Sequence, residues 1–128
     1  MANESLLTKR VAFYIRRAYP KIPFRVDIAA DMPLPPRLRG RLGEIHGAKW
    51  TKGHPDLFLM SCRGGYGGLY LELKDVAKVP NTEHTRIQAE YHKHLRKQGY
   101  RVAFSCGYEQ SIDFIDEYMK LNKNKKVK

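Results

Sequence analysis

The 128-residue chain contains few cysteines, few acidic residues relative to its basic ones, and no long apolar run. Its two cysteines, Cys62 and Cys106, are too few for a disulfide scaffold, so we expect reduced thiols. No apolar stretch approaches the ~20 residues that cross a bilayer, and the first residues lack the pattern of a secretory signal. These absences predict an intracellular (cytoplasmic) protein with no membrane partner.

Motifs for zinc and for nucleotide binding are missing as well. The cysteines and histidines show no zinc-ligand spacing. His92 and His94 lie two apart on a predicted helix, so we expect them to face different ways on a solvated surface. The glycine-rich stretch from Arg63 to Gly68 lacks the Gly-Lys-Ser/Thr of a Walker loop, and it reads as a hairpin turn.

Basic residues are abundant: 24 lysines and arginines face 13 acidic residues, which gives a formal charge of +11. Neutralising phosphates releases condensed counterions, so this balance indicates nucleic acid as the first candidate partner. Residues 122–128 form a lysine-rich tail, which is either a solvated end or a phosphate contact. The length of the remainder, residues 1–121, suits a single domain.

Hydrophobic periodicity and turn residues predict an α/β fold of order αβββαβα, in which helices flank a small mixed sheet. Helices are expected at 3–18, with Asn3 as N-cap, at 82–98 and at 111–121; strands are expected at 24–28, 57–61, 69–73 and 101–106. The last strand should be buried and parallel to the one before it. Prolines and glycines break the segment 29–53, where only a short helix near 38–45 is expected.

The two central strands place three charged residues on one patch. If the connecting turn is centred near Gly64, antiparallel pairing sets Asp56 opposite Glu72. Because side chains alternate along a strand, Lys74 then lies on the same face as Glu72. A register slipped by one residue would oppose Asp56 to Leu73, so the hydrophobic pattern selects the convergent register.

Two carboxylates and an ammonium suit hydrolysis of a phosphodiester by a hard metal ion. Asp56 and Glu72 supply oxygens for Mg2+ or Mn2+, and the backbone carbonyl of Leu73 supplies a third. Lys74 would hold or help deprotonate the attacking water and stabilise transition-state charge. Each motif alone is weak, since Glu-x-Lys is often a wet strand face and Pro-Asp a turn. Their opposition across one hairpin favours the site.

Two further polar residues are candidates for this site. Gln88 lies on the inward stripe of its helix with Ile87, Tyr91 and Leu95, so we expect it to hydrogen-bond Lys74 or the nucleophilic water, or else to cap a nearby backbone group. Glu4 lies one turn before Leu7 and is a tentative further carboxylate. Its position in a first helical turn is also favoured by the helix dipole alone.

The segment before Asp56 mixes cations with an aromatic residue and is interpreted as the DNA-contacting arm. Its phosphate contacts would fix register, and Trp50 would stack on an unpaired base at a branched point. The alternative is a basic solvent loop with Trp50 tucked into the core. The nucleic-acid-binding candidates are Arg37, Arg39, Arg41, Lys49, Trp50 and Lys52.

These stretches resemble a VRR-NUC domain, a branch of the PD-(D/E)xK nuclease superfamily, from Glu4 through the last helix. The residues that carry the resemblance are Gly53-His54-Pro55-Asp56-Leu57, Gly65-Tyr66-Gly67-Gly68-Leu69-Tyr70-Leu71-Glu72-Leu73-Lys74, and Gln88 followed by Leu95, Gly99 and Tyr100. The resemblance implies a PD-(D/E)xK nuclease-like core. It also implies that Asp56 and Glu72 ligate metal, that Lys74 is the catalytic lysine, and that Gln88 and Glu4 are the family's helix glutamine and first-helix acid.

Stand-alone members of this family, many of them phage encoded, resemble Holliday-junction resolvases and work as homodimers on branched DNA, so the resemblance implies a homodimer here. The resemblance therefore implies a structure-selective DNA endonuclease that is dependent on Mg2+ or Mn2+. Two alternatives stay open: a non-catalytic nucleic-acid-binding module, and a nuclease that acts on linear duplex or ends in repair or restriction.

Overall fold

The computed structural model describes residues 2–27 and 35–124, with side chains from residue 5 onward. Within these ranges the chain is an α/β fold in which helices cover both faces of one mixed four-stranded sheet. The elements in chain order are α1 (Ala2–Ala18), β1 (Phe24–Val26), α2 (Pro36–Trp50), β2 (Leu57–Leu59), β3 (Leu69–Lys74), α3 (Glu83–Lys97), β4 (Arg101–Cys106) and α4 (Tyr108–Met119).

The sheet order is β1-β2-β3-β4, with both β1 and β3 antiparallel to β2, and β4 parallel to β3. The parallel step needs a crossover, and α3 provides it. The predicted direction of β4 and its bounds are confirmed. Its predicted burial is wrong in part, because β4 is an edge strand and only Val102 and Ser105 are buried along it.

One face of the sheet carries the apolar core. Alternation turns the leucines of β2 and β3 toward α1 and α4, and we call this the α1/α4 face. The buried core residues are Leu7, Val11, Ile15, Leu57, Leu59, Leu69, Leu71, Leu73, Ile115 and Tyr118. The other face, which carries Glu72 and Phe104, packs against α3 through His92, and we call it the α3 face.

The largest difference from the predicted order is a fourth helix between β1 and β2. The sequence suggested a short helix at 38–45 in a broken stretch, whereas α2 runs over 15 residues with Pro36 at its first turn and a kink at Gly47, where φ is 78°. Proline is tolerated at a helix start, and single glycines cost only about 1 kcal/mol within a helix. The expected order αβββαβα therefore becomes αβαββαβα.

Several element ends also differ from those predicted. α1 begins at Ala2, so Asn3 lies inside the helix rather than at its N-cap, and β2 ends two residues before Ser61. α4 begins at Tyr108, three residues before the predicted start at Ser111, because Gly107 with φ of 88° turns the chain directly out of β4. Residue 28, predicted to end the first strand, lies outside the described residues. Helix α3 agrees with the prediction, with an N-cap at Thr82 and Gly99 just past its end.

The connection between β2 and β3 is a nine-residue loop, and the end of the chain docks onto it. Gly64 N donates to Asn122 O (2.8 Å), Gly65 N donates to Asn124 Oδ1 (2.8 Å), and Asn124 N donates to Cys62 O (3.1 Å). Residues 122–124 of the predicted tail therefore contact the domain. Residues 125–128 lie outside the described part of the chain.

No helix among the described residues is long and apolar enough to cross a membrane.

Candidate active site

The hairpin register places Asp56 opposite Glu72, as the sequence predicts. β2 and β3 pair Leu57 with Leu71 and Leu59 with Leu69, and the same register continued by one residue opposes Asp56 to Glu72. The stacked rings of Phe58 and Tyr70, 4.2 Å apart, show that cross-strand partners share the α3 face. Lys74 lies two residues beyond Glu72 on β3 and so shares this face.

All three charged side chains are buried. Asp56 is 5% exposed, Glu72 is 1% exposed and Lys74 is 7% exposed. Ionisable groups are rarely buried to this extent, because removing a charge from water is costly unless opposite charges or hydrogen bonds compensate. On an ordinary solvent-exposed strand face these side chains would lie in solvent. Their burial therefore argues that this Glu-x-Lys is more than a surface pattern.

Hydrogen bonds from two backbone N–H groups fix Asp56 at the end of β2, one to its carbonyl and one to its carboxylate. Its carbonyl oxygen accepts from Asp27 N (2.7 Å) on the β1 side, and its Oδ2 accepts from Leu73 N (2.8 Å) on the β3 side. The N–H and C=O of one strand residue point to the same side of the strand, so the Leu73 carbonyl is also directed toward Asp56. The two carboxylates and this carbonyl thus belong to one corner of the sheet.

Helix α3 covers this corner with two buried polar side chains, Gln88 and His92, which lie one turn apart on one face of the helix. His92 is fully buried, with Nε2 3.5 Å from Glu72 Oε1 and its ring 4.6 Å from that of Phe104. Burial, followed by the nearby cations Arg96 and Lys74, lowers the pKa of His92 to about 4, so the ring is neutral near pH 7.

Ideal helix and strand geometry predicts that Gln88 stands at the level of Lys74. A crossover helix runs antiparallel to the strands it connects. One turn back along α3 from His92 reaches Gln88, a step of about 6 Å, and two residues forward along β3 from Glu72 reaches Lys74, a step of about 6.6 Å. The two steps therefore run the same way and have nearly the same length. The predicted burial of Gln88 is confirmed at 5% exposure. No hydrogen bond to its Oε1 is found among the described residues, so the expected bond from Lys74 is absent from the structure. Its neighbour Ile87 is 38% exposed, contrary to the predicted inward stripe.

The prediction for His92 was wrong, and the reason is geometric. His92 and His94 do face different ways, but His92 is the one that points into the sheet. The sequence does indicate the burial of His92 in one way: His92 follows Gln88 by four residues, so the two share one face of the helix, and Gln88 is predicted to face inward. Asp27 was also overlooked as a neighbour of the site, although it pairs with Asp56 through the backbone and its Oδ2 lies 3.7 Å from His54 Nδ1.

The predicted nucleic-acid arm is mostly helix α2, which has no buried residue. Its arginines are exposed and spaced two apart, so Arg37 and Arg41 share one face while Arg39 points elsewhere. Trp50 is 39% exposed and packs edge-on against Tyr91 and His94 of α3, with ring centroids 5.3 and 5.0 Å away. It therefore lies on the surface of α3 rather than in the core. Lys49 and Lys52 are exposed beside it.

An aromatic chain connects this arm to the candidate site. Tyr91 contacts His54, whose ring centroid is 5.4 Å away, and His54 contacts Tyr70 at 5.5 Å. His54 Nδ1 also donates to Pro55 O (2.8 Å), so the residues leading into Asp56 are held from both sides. The end of α2 and the residues that carry Asp56 are thus packed on a common surface of α3.

A metal ion at this corner would rest on few protein ligands. Among the described side chains, no group of three or more His, Cys, Asp or Glu is arranged to hold a metal. The side chain of Glu4 lies outside the described residues. The available donors are two carboxylates and one backbone carbonyl, all hard oxygens of the kind that Mg2+ and Mn2+ accept together with water.

The fold resembles that of a solved structure described as a VRR_NUC domain protein, with a TM-score of 0.66. The alignment covers 94% of this chain and 90% of that one, at 24% sequence identity. At this identity the likeness establishes the fold, and it confirms the VRR-NUC-like α/β architecture that the sequence predicts. No family model and no curated protein matches the chain.

Proposed function

We propose that this protein is a metal-dependent nuclease that hydrolyses phosphodiester bonds in DNA. The observation that carries the proposal is the burial of Asp56, Glu72 and Lys74 on one face of the sheet, at a single corner. When both carboxylates are ionised, this set bears one net negative charge beside the neutral His92. A divalent cation would compensate that charge and place a phosphate beside it.

The residues present fit such an ion. Asp56, Glu72 and the Leu73 carbonyl would hold Mg2+ or Mn2+, with Glu4 as a tentative fourth ligand. A bound ion of this kind lowers the pKa of water and stabilises charge on the phosphate. The Leu73 N–H fixes one oxygen of Asp56 at 2.8 Å, which keeps this carboxylate oriented for binding.

Lys74 and Gln88 are the groups that would meet the substrate. The ammonium of Lys74 donates hydrogen bonds to the attacking water or to a phosphate oxygen and stabilises developing negative charge. Gln88 Oε1, buried at the same level and without a partner among the described residues, would accept from that water or from Lys74. Burial of both groups excludes bulk water and strengthens these interactions.

The substrate is proposed to be branched DNA, such as a four-way junction, and the active form a homodimer. The +11 charge and the exposed cations of α2 support a nucleic-acid partner, and the sequence resemblance supports the branched substrate and the homodimer. In this proposal Arg37, Arg39, Arg41, Lys49 and Lys52 contact phosphates, and Trp50 stacks on an unpaired base. Two protomers would present two sites to two strands.

The test uses the Asp56→Ala and Glu72→Ala variants on four-way, flap and linear duplex substrates, with Mg2+ and with a chelator. Both variants should bind branched DNA while cleavage falls to background, because the carboxylates serve the metal rather than the DNA. Asp75→Ala is the matched control, since Asp75 is exposed and adjacent to Lys74. It should cut at the wild-type rate.

Wild-type cleavage by either active-site variant would refute the assignment. Salt-sensitive binding with no cleavage of any substrate would instead support the non-catalytic module. Cleavage of linear duplex as fast as the four-way junction would keep the chemistry and reject the branched substrate.

A further inference from the structure

A second groove lies across the sheet from the candidate site, between α1 and the start of α4. Its lining combines two cations with three aromatic rings, and no acidic side chain is among the lining residues. The residues are Arg10, Phe13, Tyr14, Arg17, Ala18 and Tyr108. We call this feature the Arg10–Arg17 groove. Its residues play no part in the site described above.

The groove presents its aromatic and cationic groups in an ordered arrangement. The guanidinium of Arg10 lies 4.2 Å from the ring centroid of Tyr108, and that of Arg16, which does not line the groove, lies 5.6 Å from the ring centroid of Phe13. Phe13 is nevertheless 60% exposed, which is unusual for so large an apolar ring. A guanidinium held against a ring, next to an exposed ring, suits a ligand with both a phosphate and a flat base.

Hydrogen bonds beneath the groove hold α1 against α4. Tyr14 Oη donates to Asp116 Oδ1 (2.7 Å), and Tyr19 Oη donates to the same oxygen (2.7 Å). The bond to Asp116 raises the pKa of Tyr14, and burial raises the pKa of Tyr19 to about 12. Both hydroxyls stay protonated near pH 7 and keep their hydrogen bonds to Asp116. These bonds hold α1 against α4, so the groove is preformed.

The groove begins at the same end of the sheet as the candidate site. Tyr108 follows Gly107, whose N–H donates to Lys74 O (2.8 Å), so the first groove residue is next to the end of β3. From there the groove follows α1, where Arg10 and Arg17 are separated by seven residues, or about 10 Å. A strand whose bases stay stacked rises about 3.4 Å per nucleotide, as in B-DNA, so that length matches roughly three stacked nucleotides.

We propose that the Arg10–Arg17 groove binds a single-stranded nucleic-acid segment that leaves the duplex held at the candidate site. This inference rests on the proposed function and adds a second contact to it. The groove is on the α1/α4 side and the site is on the α3 side, so a strand that fills both must turn around the end of β3. A blunt duplex offers no such strand, whereas a branched or tailed one does.

The test compares binding of a blunt duplex with binding of the same duplex carrying a single-stranded tail at either end, in chelator so that no cleavage occurs. Wild type should bind the tailed DNA more tightly. The double variant Arg10→Ala/Arg17→Ala should lose most of that gain, a decrease of about tenfold. Its salt slope on tailed DNA should fall by about 1.4, since each single-strand phosphate contact contributes about 0.7.

The matched control is Lys9→Ala/Lys21→Ala, which removes the same charge from exposed residues that do not line the groove. It should keep the preference for tails. Phe13→Ala removes the exposed ring without changing charge and should also reduce the preference. Because all these positions are exposed, each variant should melt like wild type.

Equal affinity of wild type for blunt and tailed DNA would overturn the proposal, and so would loss of the preference in the lysine control alone. Sedimentation without DNA should be the same for wild type and the arginine variant. A dimer that the arginine variant abolishes would assign the groove to a second copy instead. If the protein binds tailed DNA more tightly through these arginines but cleaves no DNA, the proposed nuclease function is refuted and the proposed groove function is kept.

Discussion

At the scale of single residues, the candidate site depends on side chains that are buried although they are polar. His92 shows what this burial does: a solvated imidazole would titrate near pH 6.5, whereas in the fold its pKa is about 4. Its Nε2 lies 3.5 Å from Glu72 Oε1, so the neutral ring packs directly on a proposed metal ligand. A substitution of His92 would therefore place a different side chain against the carboxylate of Glu72.

The lowered pKa of His92 predicts a pH-dependent stability. Below pH 6.5 the unfolded chain binds a proton at this position, while the folded protein does not until about pH 4. The contribution is therefore constant above pH 6.5 and is lost as the pH falls from 6.5 to 4, by about 3 kcal/mol. Urea unfolding across this range measures it.

The His92→Leu variant should lose this part of the pH dependence, because leucine does not titrate. His84→Asn replaces an exposed histidine of the same helix and should leave the slope as in wild type. An unchanged slope in His92→Leu would show that another group causes the pH dependence.

At the scale of elements, α3 determines the geometry of the site, because several segments come together on it. It supplies Gln88 and His92 to the sheet, and its outer residues Tyr91 and His94 receive Trp50 from α2. The segment between α2 and β2 approaches α3 closely at Gly53. There φ is 92°, and an added Cβ would lie 3.0 Å from the Ile87 backbone oxygen.

Gly53→Ala should therefore destabilise the fold by about 1 to 3 kcal/mol, through the left-handed φ and the close contact with α3. We also expect slower DNA cleavage, because Asp56 follows three residues later. Gly40→Ala is the matched control, since Gly40 lies within α2 with nothing within 4 Å of its added Cβ.

In Gly40→Ala the same substitution should be neutral or stabilising by up to about 1 kcal/mol, because alanine favours the helix. Urea denaturation and the initial rate of cleavage measure both variants. Equal effects at the two glycines would argue against a close packing of Gly53 on α3.

At the scale of the whole molecule, the fold separates an apolar layer from a polar one. The α1/α4 face holds the leucine core, and this core stabilises the domain without any contribution from the residues of the candidate site. The α3 face can therefore carry buried charge at one corner, at a cost in stability that the core offsets. Binding of an ion at this corner would recover part of that cost.

We expect Mg2+ or Mn2+ to raise the Tm of the whole domain. A ligand at about 100 times its Kd stabilises by about 2.7 kcal/mol, or about 10 °C for a domain of this size. Asp56→Ala should abolish the shift, and Asp75→Ala should keep it. Thermal unfolding with chelator and with each metal measures the effect, and an equal shift in Asp56→Ala would place the ion elsewhere.

The sequence alone determined the features that depend on local periodicity. Alternation in β2 and β3, together with a turn centred at Gly64, fixes which residues face each other, so the pairing of Asp56 with Glu72 follows from the sequence. Capping and end signals likewise fixed α3 at Thr82 and Gly99. The strand after α3 had to be parallel, because a helix connects it to its neighbour.

Tertiary structure decided which faces are covered. Period and spacing state that His92 and Gln88 share a side of α3, but only the docking of α3 on the sheet makes that side the buried one and leaves Ile87 exposed. The helical state of α2 and the contact of residues 122–124 with the β2–β3 loop also escaped prediction. The burial of a residue depends on which elements pack against its own element, and the local sequence of one segment does not determine that packing.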